Sequence, residues 1–280
     1  MDTQKLEKIL GNVGDMALKR RARLILTSLD IKDTDSVLDA GGGDGYYSKL
    51  VLELTKAKVS LYDFDENALN SARRNLKDKN IEISQGSVHQ MAFPANSFDK
   101  IILTEVMEHV PYESKGFDEL YRVLRPGGLL AITVPNANFP FFWDPLNWIM
   151  QNVFHHPIKH SPFEDFFAGI WYGHLRLYKV DDLRKKLEEH KFVVKDMQAV
   201  THFSLPFQHY ILNIMARLLY GGKMSESMKE SVSKFETEKT PKRPLPIRFG
   251  FWLFSTVDKP NDNIPLSASS VSLYALCSKK

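Results

Sequence analysis

The segment VLDAGGGDGYYSKL, residues 37–50, combines four glycines with two aspartates. Apolar residues before the glycines predict the end of a buried strand, and the run that starts at Tyr46 predicts a helix. Glycines at such a turn allow the main chain to approach a ligand closely, and the first N–H groups of the helix are free to donate hydrogen bonds. The segment therefore predicts a ligand-binding turn.

The spacing of the glycines limits the choice of ligand. Gly41, Gly43 and Gly45 form G-x-G-x-G, whereas the dinucleotide fingerprint G-x-G-x-x-G needs glycine or alanine at the position of Tyr46. No Gly-Lys-Ser/Thr follows, which excludes a Walker-type phosphate loop. The turn is therefore not typical of a site that holds a pyrophosphate.

A second carboxylate stands where a ribose would need it. Asp63 ends the next strand-like run, 18 residues after Gly45. A carboxylate at this strand end can accept hydrogen bonds from both vicinal hydroxyls of a ribose. The two features together predict a nucleoside cofactor without a clamped pyrophosphate.

Alternating strand-like and helical runs position these residues. The alternation indicates βαβ units in a parallel sheet with helices on both faces, and ligands of such sheets bind beyond the carboxyl ends of the strands. The predicted strands are 36–40, 58–63, 81–85, 100–104, 129–134, 192–200 and 270–277. The predicted helices are 2–29, 46–55, 66–76, 115–124 and 181–190.

Four motifs in order give the chain a family resemblance. VLDAGGGDG, VSLYDFDENALNSARRN, FDKIILTEVMEHV and LYRVLRPGGLLAITVPN occur at the family's normal spacing. With them the chain resembles the class I S-adenosylmethionine-dependent methyltransferases, in the type 11 branch that includes ubiquinone and menaquinone biosynthesis enzymes. The resemblance implies a doubly wound, mostly parallel, seven-stranded Rossmann-like sheet with helices on both faces, and S-adenosylmethionine as cofactor.

The resemblance also implies a role for each matching residue. Gly41, Gly43 and Gly45 would line the methionine and ribose portions of the cofactor, Asp39 would hold its amino end, and Asp63 would bind the ribose hydroxyls. Phe64 would lie against the adenine, Ser87 and Val88 would contact the adenine edge, and Glu105 would lie near the transferred methyl group. The family commonly has an acidic residue at the Ser87 position, so the adenine contact would be weaker here.

The resemblance suggests six segments. They are an N-terminal helical segment (1–35), a cofactor-binding core (36–137), an aromatic lid insertion (138–173), a return to the core (174–202), a second insertion with a mobile polar loop (203–266) and the last strand of the core (267–280).

Three residues are candidates for a catalytic base. A sulfonium methyl group is already activated, so the enzyme mainly aligns the acceptor, and a base is needed only where the acceptor holds its proton. Glu108 and His109 follow the fourth strand, and His174 stands where the aromatic insertion rejoins the core. For each histidine, a packing or capping role is the alternative.

The insertion at 138–173 carries eleven aromatic residues, Phe139, Phe141, Phe142, Trp143, Trp148, Phe154, Phe163, Phe166, Phe167, Trp171 and Tyr172. They predict a large apolar pocket for an aromatic or lipid-like acceptor, with some of the rings serving as ordinary core. Together with the resemblance, this leads us to expect a methyltransferase that acts on a small apolar, aromatic or lipid-like acceptor at oxygen. His155, His156, His160 and Glu164 match no ligand spacing, and the cofactor needs no metal, so we expect no metal ion.

Composition excludes several classes of partner. The net charge of +3 in 280 residues does not favour nucleic acid, and the single cysteine, Cys277, excludes disulfides and thiolate metal clusters. The N-terminus lacks the apolar core of a signal peptide.

We expect a cytoplasmic protein with possible peripheral membrane contact, through the apolar residues 203–220 and the basic cluster Lys19, Arg20, Arg21 and Arg23. Packing on the lid is the alternative for the apolar stretch, and a solvated helix face is the alternative for the cluster.

Other functions keep the same fold. A methyltransferase that acts on RNA or protein is one alternative, although the Thr104-Glu105-Val106-Met107 sequence lacks the Asn/Asp-Pro-Pro-Tyr/Phe pattern that holds a flipped base. Aminopropyl transfer is a weaker alternative, because no acidic polyamine-binding pattern is present. A non-catalytic partner protein is the alternative from another class. The oligomeric state stays open.

Overall fold

A computed structural model describes residues 2–158, 169–207, 214, 233–235 and 243–280. Its centre is a seven-stranded sheet with the strand order β3-β2-β1-β4-β5-β7-β6. Every neighbouring pair is parallel except β5–β7 and β6–β7, so β7 is the antiparallel strand. The predicted fold class, a mostly parallel sheet of the Rossmann-like type, is confirmed.

The strands begin and end close to the predicted positions. They are β1 (Ser36–Ala40), β2 (Lys58–Asp63), β3 (Glu82–Gln85), β4 (Phe98–Thr104), β5 (Leu124–Pro135), β6 (Phe192–Val200) and β7 (Ser272–Lys279). The helices are α1 (Thr3–Leu10), α2 (Met16–Leu29), α3 (Tyr46–Leu54), α4 (Glu66–Asn75), α5 (Glu113–Val123), α6 (Pro145–Asn152), α7 (Val180–Glu189) and α8 (Leu245–Asp258). Strand β5 starts five residues before the predicted run, because the segment Leu124–Gly128 is already part of the strand.

Helices cover both faces of the sheet, as predicted. Val37 of β1 faces α1, α2 and α3, whereas Leu38 and Ala40 face α5 and α7. This alternation follows from the strand geometry, which directs successive side chains to opposite faces. The sheet is therefore buried on both sides, and its carboxyl edge is left for a ligand.

The N-terminal segment contains two helices, which corrects the prediction of continuous helix over 2–29. The side chain of Asp15 accepts hydrogen bonds from the N–H groups of Ala17 and Leu18 at 3.0 and 3.2 Å, and so starts a new helix. Both helices bury apolar residues in one cluster, so the apolar pattern is the same as that of one long helix.

Three arginines of the basic cluster on α2 pair with carboxylates of the same chain. Arg20 contacts Asp258 at 2.6 Å and Asp262 at 2.8 Å, and Arg23 binds Glu7 at 2.5 Å. Arg21 is directed to Glu105. Arg20 and Arg21 are mostly buried, whereas the pair of Arg23 with Glu7 lies at the surface, as the alternative of a solvated helix face predicts.

The aromatic insertion is anchored by one buried carboxylate. Asp144 accepts hydrogen bonds from the N–H of Ile170 at 2.9 Å and from the side-chain amide of Asn147 at 3.0 Å, which ties α6 to a 3₁₀ turn at Gly169–Trp171. Phe139 and Trp143 are buried, and Phe141, Phe142, Phe154 and Tyr172 are exposed. Phe163, Phe166, Phe167, His160 and Glu164 lie outside the described residues, as does most of the predicted apolar stretch 203–220. Most of residues 223–246, the part of the second insertion predicted as a mobile polar loop, also lies outside them.

No helix among the described residues is both long and apolar enough to cross a membrane.

Candidate functional site

Three of the four glycines in the turn after β1 are closely packed, and the fourth has free space beside it. A Cβ atom at Gly41 would lie 2.3 Å from Val106 Cγ2, one at Gly42 would lie 2.7 Å from Leu61 Cγ, and one at Gly45 would lie 2.7 Å from Leu76 Cδ1. At Gly43, whose φ is +54°, a Cβ atom would meet no described atom within 4 Å. The main chain at Gly43 therefore borders open space at the carboxyl edge of the sheet.

Asp63 connects this turn to the end of β2. Its Oδ2 accepts a hydrogen bond from the N–H of Gly43 at 2.8 Å, and its Oδ1 accepts one from the N–H of Asp65 at 2.9 Å. Each carboxylate oxygen has two lone-pair directions, so both oxygens keep capacity for a further donor. The carboxylate is thus held in a fixed orientation beside the open space.

The residues predicted to surround an adenine lie at the ends of β2 and β3. Phe64 is 71% exposed, which leaves its ring faces available for stacking. Val88 is buried, and the hydroxyl of Ser87 contacts Nδ1 of His89 at 2.6 Å. An adenine amine that donates to Ser87 would share its oxygen with this histidine. The weaker adenine contact expected from the sequence therefore agrees with this arrangement, but it stays a prediction.

Asp39 has a structural task. It is fully buried, and its Oδ2 accepts hydrogen bonds from the N–H of Ser48 at 2.9 Å and from the Ser48 hydroxyl at 2.7 Å. It therefore holds the first turn of α3 against β1. Burial raises the pKa of this carboxyl to about 6, against the two hydrogen bonds, which lower it.

Glu105 follows β4 in the left-handed conformation, with φ of +53°. Arg21 of α2 approaches its carboxylate, with Nη1 at 3.4 Å from Oε1. Burial alone would lower the pKa of Arg21, but neighbouring carboxylates, Glu105 first, raise it above its usual value. A left-handed glutamate is strained, and such strain is concentrated at functional sites.

A second polar cluster stands one turn further along, in the 3₁₀ turn Met107–His109. Glu108 is fully buried, and its Oε1 lies 3.8 Å from Nε2 of His109 and 3.9 Å from Nε2 of His174. The two imidazole rings meet edge to face, with centroids 4.8 Å apart. Burial raises the pKa of Glu108 well above its usual range, and the negative charge of Glu105 adds to this. The structure thus brings all three predicted base candidates together.

Hydrogen bonds between two loops hold this cluster. The N–H of Leu175 donates to the carbonyl of Glu108 at 2.9 Å. Nη1 of Arg176 donates to the carbonyls of Met107 at 2.8 Å and Val110 at 2.7 Å. His174 is therefore fixed against the loop after β4 by its own neighbours in the chain.

The predictions from sequence did not include Arg21 or Lys234 among the site residues. Lys234 forms a 2.7 Å ion pair with Asp44 in the glycine turn, and the adjacent Phe235 lies edge-on to Tyr46. The positive charge of Arg21 was visible in the basic cluster of α2, but its contact with Glu105, 84 residues further along the chain, was not. Lys234 belongs to a polar segment in which no pattern distinguishes it.

The chain matches a known family over its central part. Residues 38–132 match the family model described as "Methyltransferase domain". The uncharacterized methyltransferase YdaC of Bacillus subtilis is 35% identical over 111 residues, which cover 39% of this chain and 61% of YdaC. Sterol 24-C-methyltransferase of Pneumocystis carinii is 34% identical over 120 residues, which cover 41% of this chain and 32% of that enzyme. The matched segments thus span less than two thirds of either relative.

A solved structure has the same fold. Phosphoethanolamine N-methyltransferase 2 of Haemonchus contortus, in complex with S-adenosyl-L-methionine, superimposes with a TM-score of 0.57 at 17% identity. The superposition covers 92% of this chain and 52% of that one. It extends the likeness in fold well beyond residues 38–132.

The raised pKa of Asp39 predicts a pH-dependent stability. Its folded value of about 6 exceeds the unfolded value of 3.8, so between these pH values the native state binds more protons and its stability falls as the pH rises. The loss is about 3 kcal/mol over the whole window. Urea unfolding at pH 4.5 and 7.5 should show Asp39→Asn gaining about 2 kcal/mol relative to wild type at the higher pH. Glu108 is present in both proteins and cancels in this comparison. A difference that stays constant with pH would contradict the prediction.

Proposed function

Because residues 38–132 match the methyltransferase domain family, we propose that the protein is a class I S-adenosylmethionine-dependent methyltransferase of the type 11 branch that transfers a methyl group to a small apolar or lipid-like acceptor at oxygen. The cofactor of this family is S-adenosylmethionine. The observation that carries the proposal is the open space beside Gly43, bordered by the fixed carboxylate of Asp63.

The described residues fit the cofactor. Asp63 would bind the ribose hydroxyls, Gly43 would allow its main chain to lie against the cofactor, and Phe64 would stack on the adenine. Gly41 and Gly45 keep the turn closely packed, while Asp39 holds the helix that follows it. When bound, S-adenosylmethionine supplies a methyl group whose bond to sulfur breaks with the electron pair staying on sulfur, so the acceptor contributes the lone pair for the new bond.

The acceptor side of the site lies toward the loop after β4. Val106 packs against Gly41, and the Glu108, His109 and His174 cluster follows within one turn. An acceptor hydroxyl must lose its proton during transfer, and a phenol, with a pKa of about 10, needs help to do so. We assign removal of this proton to the cluster. The positive charge of Arg21 offsets the negative charge of the neighbouring Glu105.

Exposed aromatic residues support an apolar acceptor. Phe141, Phe142, Phe154 and Tyr172 of the insertion stay exposed in the described structure, although Phe139 and Trp143 are buried in the same insertion. The rings of Phe141 and Phe142 are in contact, with centroids 5.5 Å apart, and grouped exposed rings are typical of surfaces that bind apolar ligands or partners. The sterol methyltransferase of Pneumocystis carinii is named for a lipid acceptor, which is consistent with this class of substrate.

Helix α8 supports peripheral contact with a membrane that would supply such an acceptor. Phe251 packs inward, with its ring 3.1 Å from the position of a Cβ at Gly14. Leu245, Phe249 and Trp252 are 77%, 60% and 59% exposed. Their spacing of four and three residues puts them on one face of the helix. This face, rather than the paired arginines of α2, is the surface that would rest on lipid.

The open space beside Gly43 predicts a selective loss of cofactor affinity. Gly43→Ala should weaken binding of S-adenosylmethionine at least tenfold, because the added methyl group enters the space that the cofactor occupies. Gly127→Ala is the matched control: Gly127 also has positive φ, +77°, and space for a Cβ among the described atoms, but it lies in β5 away from the site. Both variants should lose about 1–2 kcal/mol of stability from backbone strain.

Isothermal titration of the two variants and the wild type measures this difference. Equal affinity in Gly43→Ala and wild type, with both proteins folded, would rule out a cofactor lying against this turn.

The acceptor class is tested by isotope transfer. Cell extract and a lipid fraction are each incubated with the protein and S-adenosylmethionine labelled in the methyl group, and mass spectrometry then finds the molecules that gain the label. We expect label in apolar or lipid-like hydroxyl compounds. Label confined to RNA or protein would favour the alternative substrates, and binding of the cofactor without any labelled product would favour a non-catalytic role.

The exposed face of α8 predicts binding to vesicles. The double variant Phe249→Ser, Trp252→Ser should lose most of the wild-type flotation with phosphatidylcholine–phosphatidylglycerol vesicles, because it removes two of the exposed rings. Tyr112→Ser removes an aromatic ring of 60% exposure elsewhere and should leave flotation unchanged. Flotation that is absent in the wild type, or equal in all three proteins, would contradict membrane contact through this helix.

A further inference from the structure

The buried carboxylate of Glu108 has no hydrogen-bond donor among the described residues. Within the described part of the chain, both of its oxygens are inaccessible to solvent and accept no hydrogen bond. Buried polar groups in native proteins nearly always have a partner, and an exception calls for an explanation such as a missing ion. The nearby cation Arg176 directs its Nη1 to main-chain carbonyls instead. A partner from outside the chain would satisfy Glu108.

Two imidazole nitrogens face the same carboxylate oxygen at distances that suit a shared ion. Nε2 of His109 and Nε2 of His174 lie 3.8 and 3.9 Å from Oε1 of Glu108, which is too far for a direct hydrogen bond. One ligand atom from each of the three residues lies within 4.8 Å of the others. Metal–ligand bonds of about 2.1 Å place neighbouring ligand atoms about 3–3.5 Å apart, so small side-chain rotations would complete such a site.

The second nitrogen of His109 is already held in the way that metal-binding histidines require. Nδ1 of His109 lies 2.9 Å from the carbonyl oxygen of Gly173. A carbonyl only accepts hydrogen bonds, so Nδ1 carries the proton and donates it, and this tautomer leaves a lone pair on Nε2 toward Glu108. A backbone carbonyl on the far nitrogen is a common feature of histidine ligands.

We propose that Glu108, His109 and His174 bind one divalent transition-metal ion, of the Zn²⁺ or Mn²⁺ type, with the remaining coordination positions open to the acceptor. Two imidazoles and one carboxylate are a donor set that suits such ions, and three protein ligands leave room for a further ligand. This departs from the expectation of no metal ion that the sequence suggested. That expectation weighed only ligands close in sequence, whereas His174 reaches Glu108 through the contacts of Leu175 and Arg176.

The role of the ion rests on the proposed function, although its binding does not. A cation beside an acceptor hydroxyl lowers the pKa of that hydroxyl. Its proton passes to water, the oxygen lone pair forms the bond to the methyl carbon, and the electron pair of the broken carbon–sulfur bond stays on sulfur. The cluster would then remove the acceptor's proton through the ion, with His109 and His174 as ligands rather than bases.

Metal titration of the chelator-treated protein tests the site directly. Isothermal titration with ZnCl₂, and separately with MnCl₂, should show one equivalent bound by the wild type. Glu108→Gln, which keeps the shape of the side chain, and His174→Ala should each weaken this binding at least tenfold. His190→Ala is the matched control, because His190 also faces a carboxylate, with Nδ1 at 2.8 Å from Asp118 Oδ1, but lies outside the cluster. This variant should bind metal like the wild type.

Circular dichroism and the melting temperature, both measured without metal, establish that each variant folds. Added metal should then raise the melting temperature of the wild type and of His190→Ala, but not that of Glu108→Gln or His174→Ala. The inference is overturned if the wild type binds no stoichiometric metal, or if Glu108→Gln and His174→Ala bind as tightly as the control. Titration of the metal-free protein with S-adenosylmethionine separates the two proposals. Cofactor binding without a metal site contradicts the inference alone, and a metal site without cofactor binding contradicts the proposed function alone.

Discussion

The hydrogen bond from the main chain of Gly43 to the carboxylate of Asp63 is the contact on which the site depends. It joins the ends of β1 and β2, so a turn without side chains and a negatively charged group are fixed at one edge of the sheet. Gly41, Gly42 and Gly45 are closely packed around it, and among the glycines of the turn Gly43 alone has no described atom within 4 Å of a Cβ position. Parallel sheets direct successive loops to the same edge, and the rest of the architecture places further groups around this point.

The polar groups that follow β4 come from distant parts of the chain. The loop after β4 supplies Glu105, Glu108 and His109, and the end of the aromatic insertion supplies His174. Arg176 binds the carbonyls on either side of Glu108, so the two loops are held as one unit. Helix α2 closes the other end, where Arg21 meets Glu105. Charged groups that would be costly to bury singly are therefore grouped, and each constrains the position of the next.

The core of the fold follows from sequence patterns that repeat locally. Strands β1, β2 and β4 are short, largely apolar runs with a helix after each, and the ends of β1, β2 and β6 were predicted to the residue. The division of residues 2–29 into two helices was missed, because both helices share one apolar pattern and only the capping role of Asp15 separates them. The site was predictable where it depends on local motifs, as at Gly43 and Asp63. It was not predictable where charges meet across long stretches of chain, as for Arg21 with Glu105 or the encounter of His174 with Glu108.

The second insertion leaves and rejoins the sheet at a single place. Val200 at the end of β6 stands directly opposite Ser272 at the start of β7, so the chain between them returns to where it departed. The entropic cost of closing such a loop grows only with the logarithm of its length. Evolution could therefore lengthen, shorten or exchange this segment without moving a strand, and so adapt the protein to new surroundings while the chemistry at the other strand ends stays as it is.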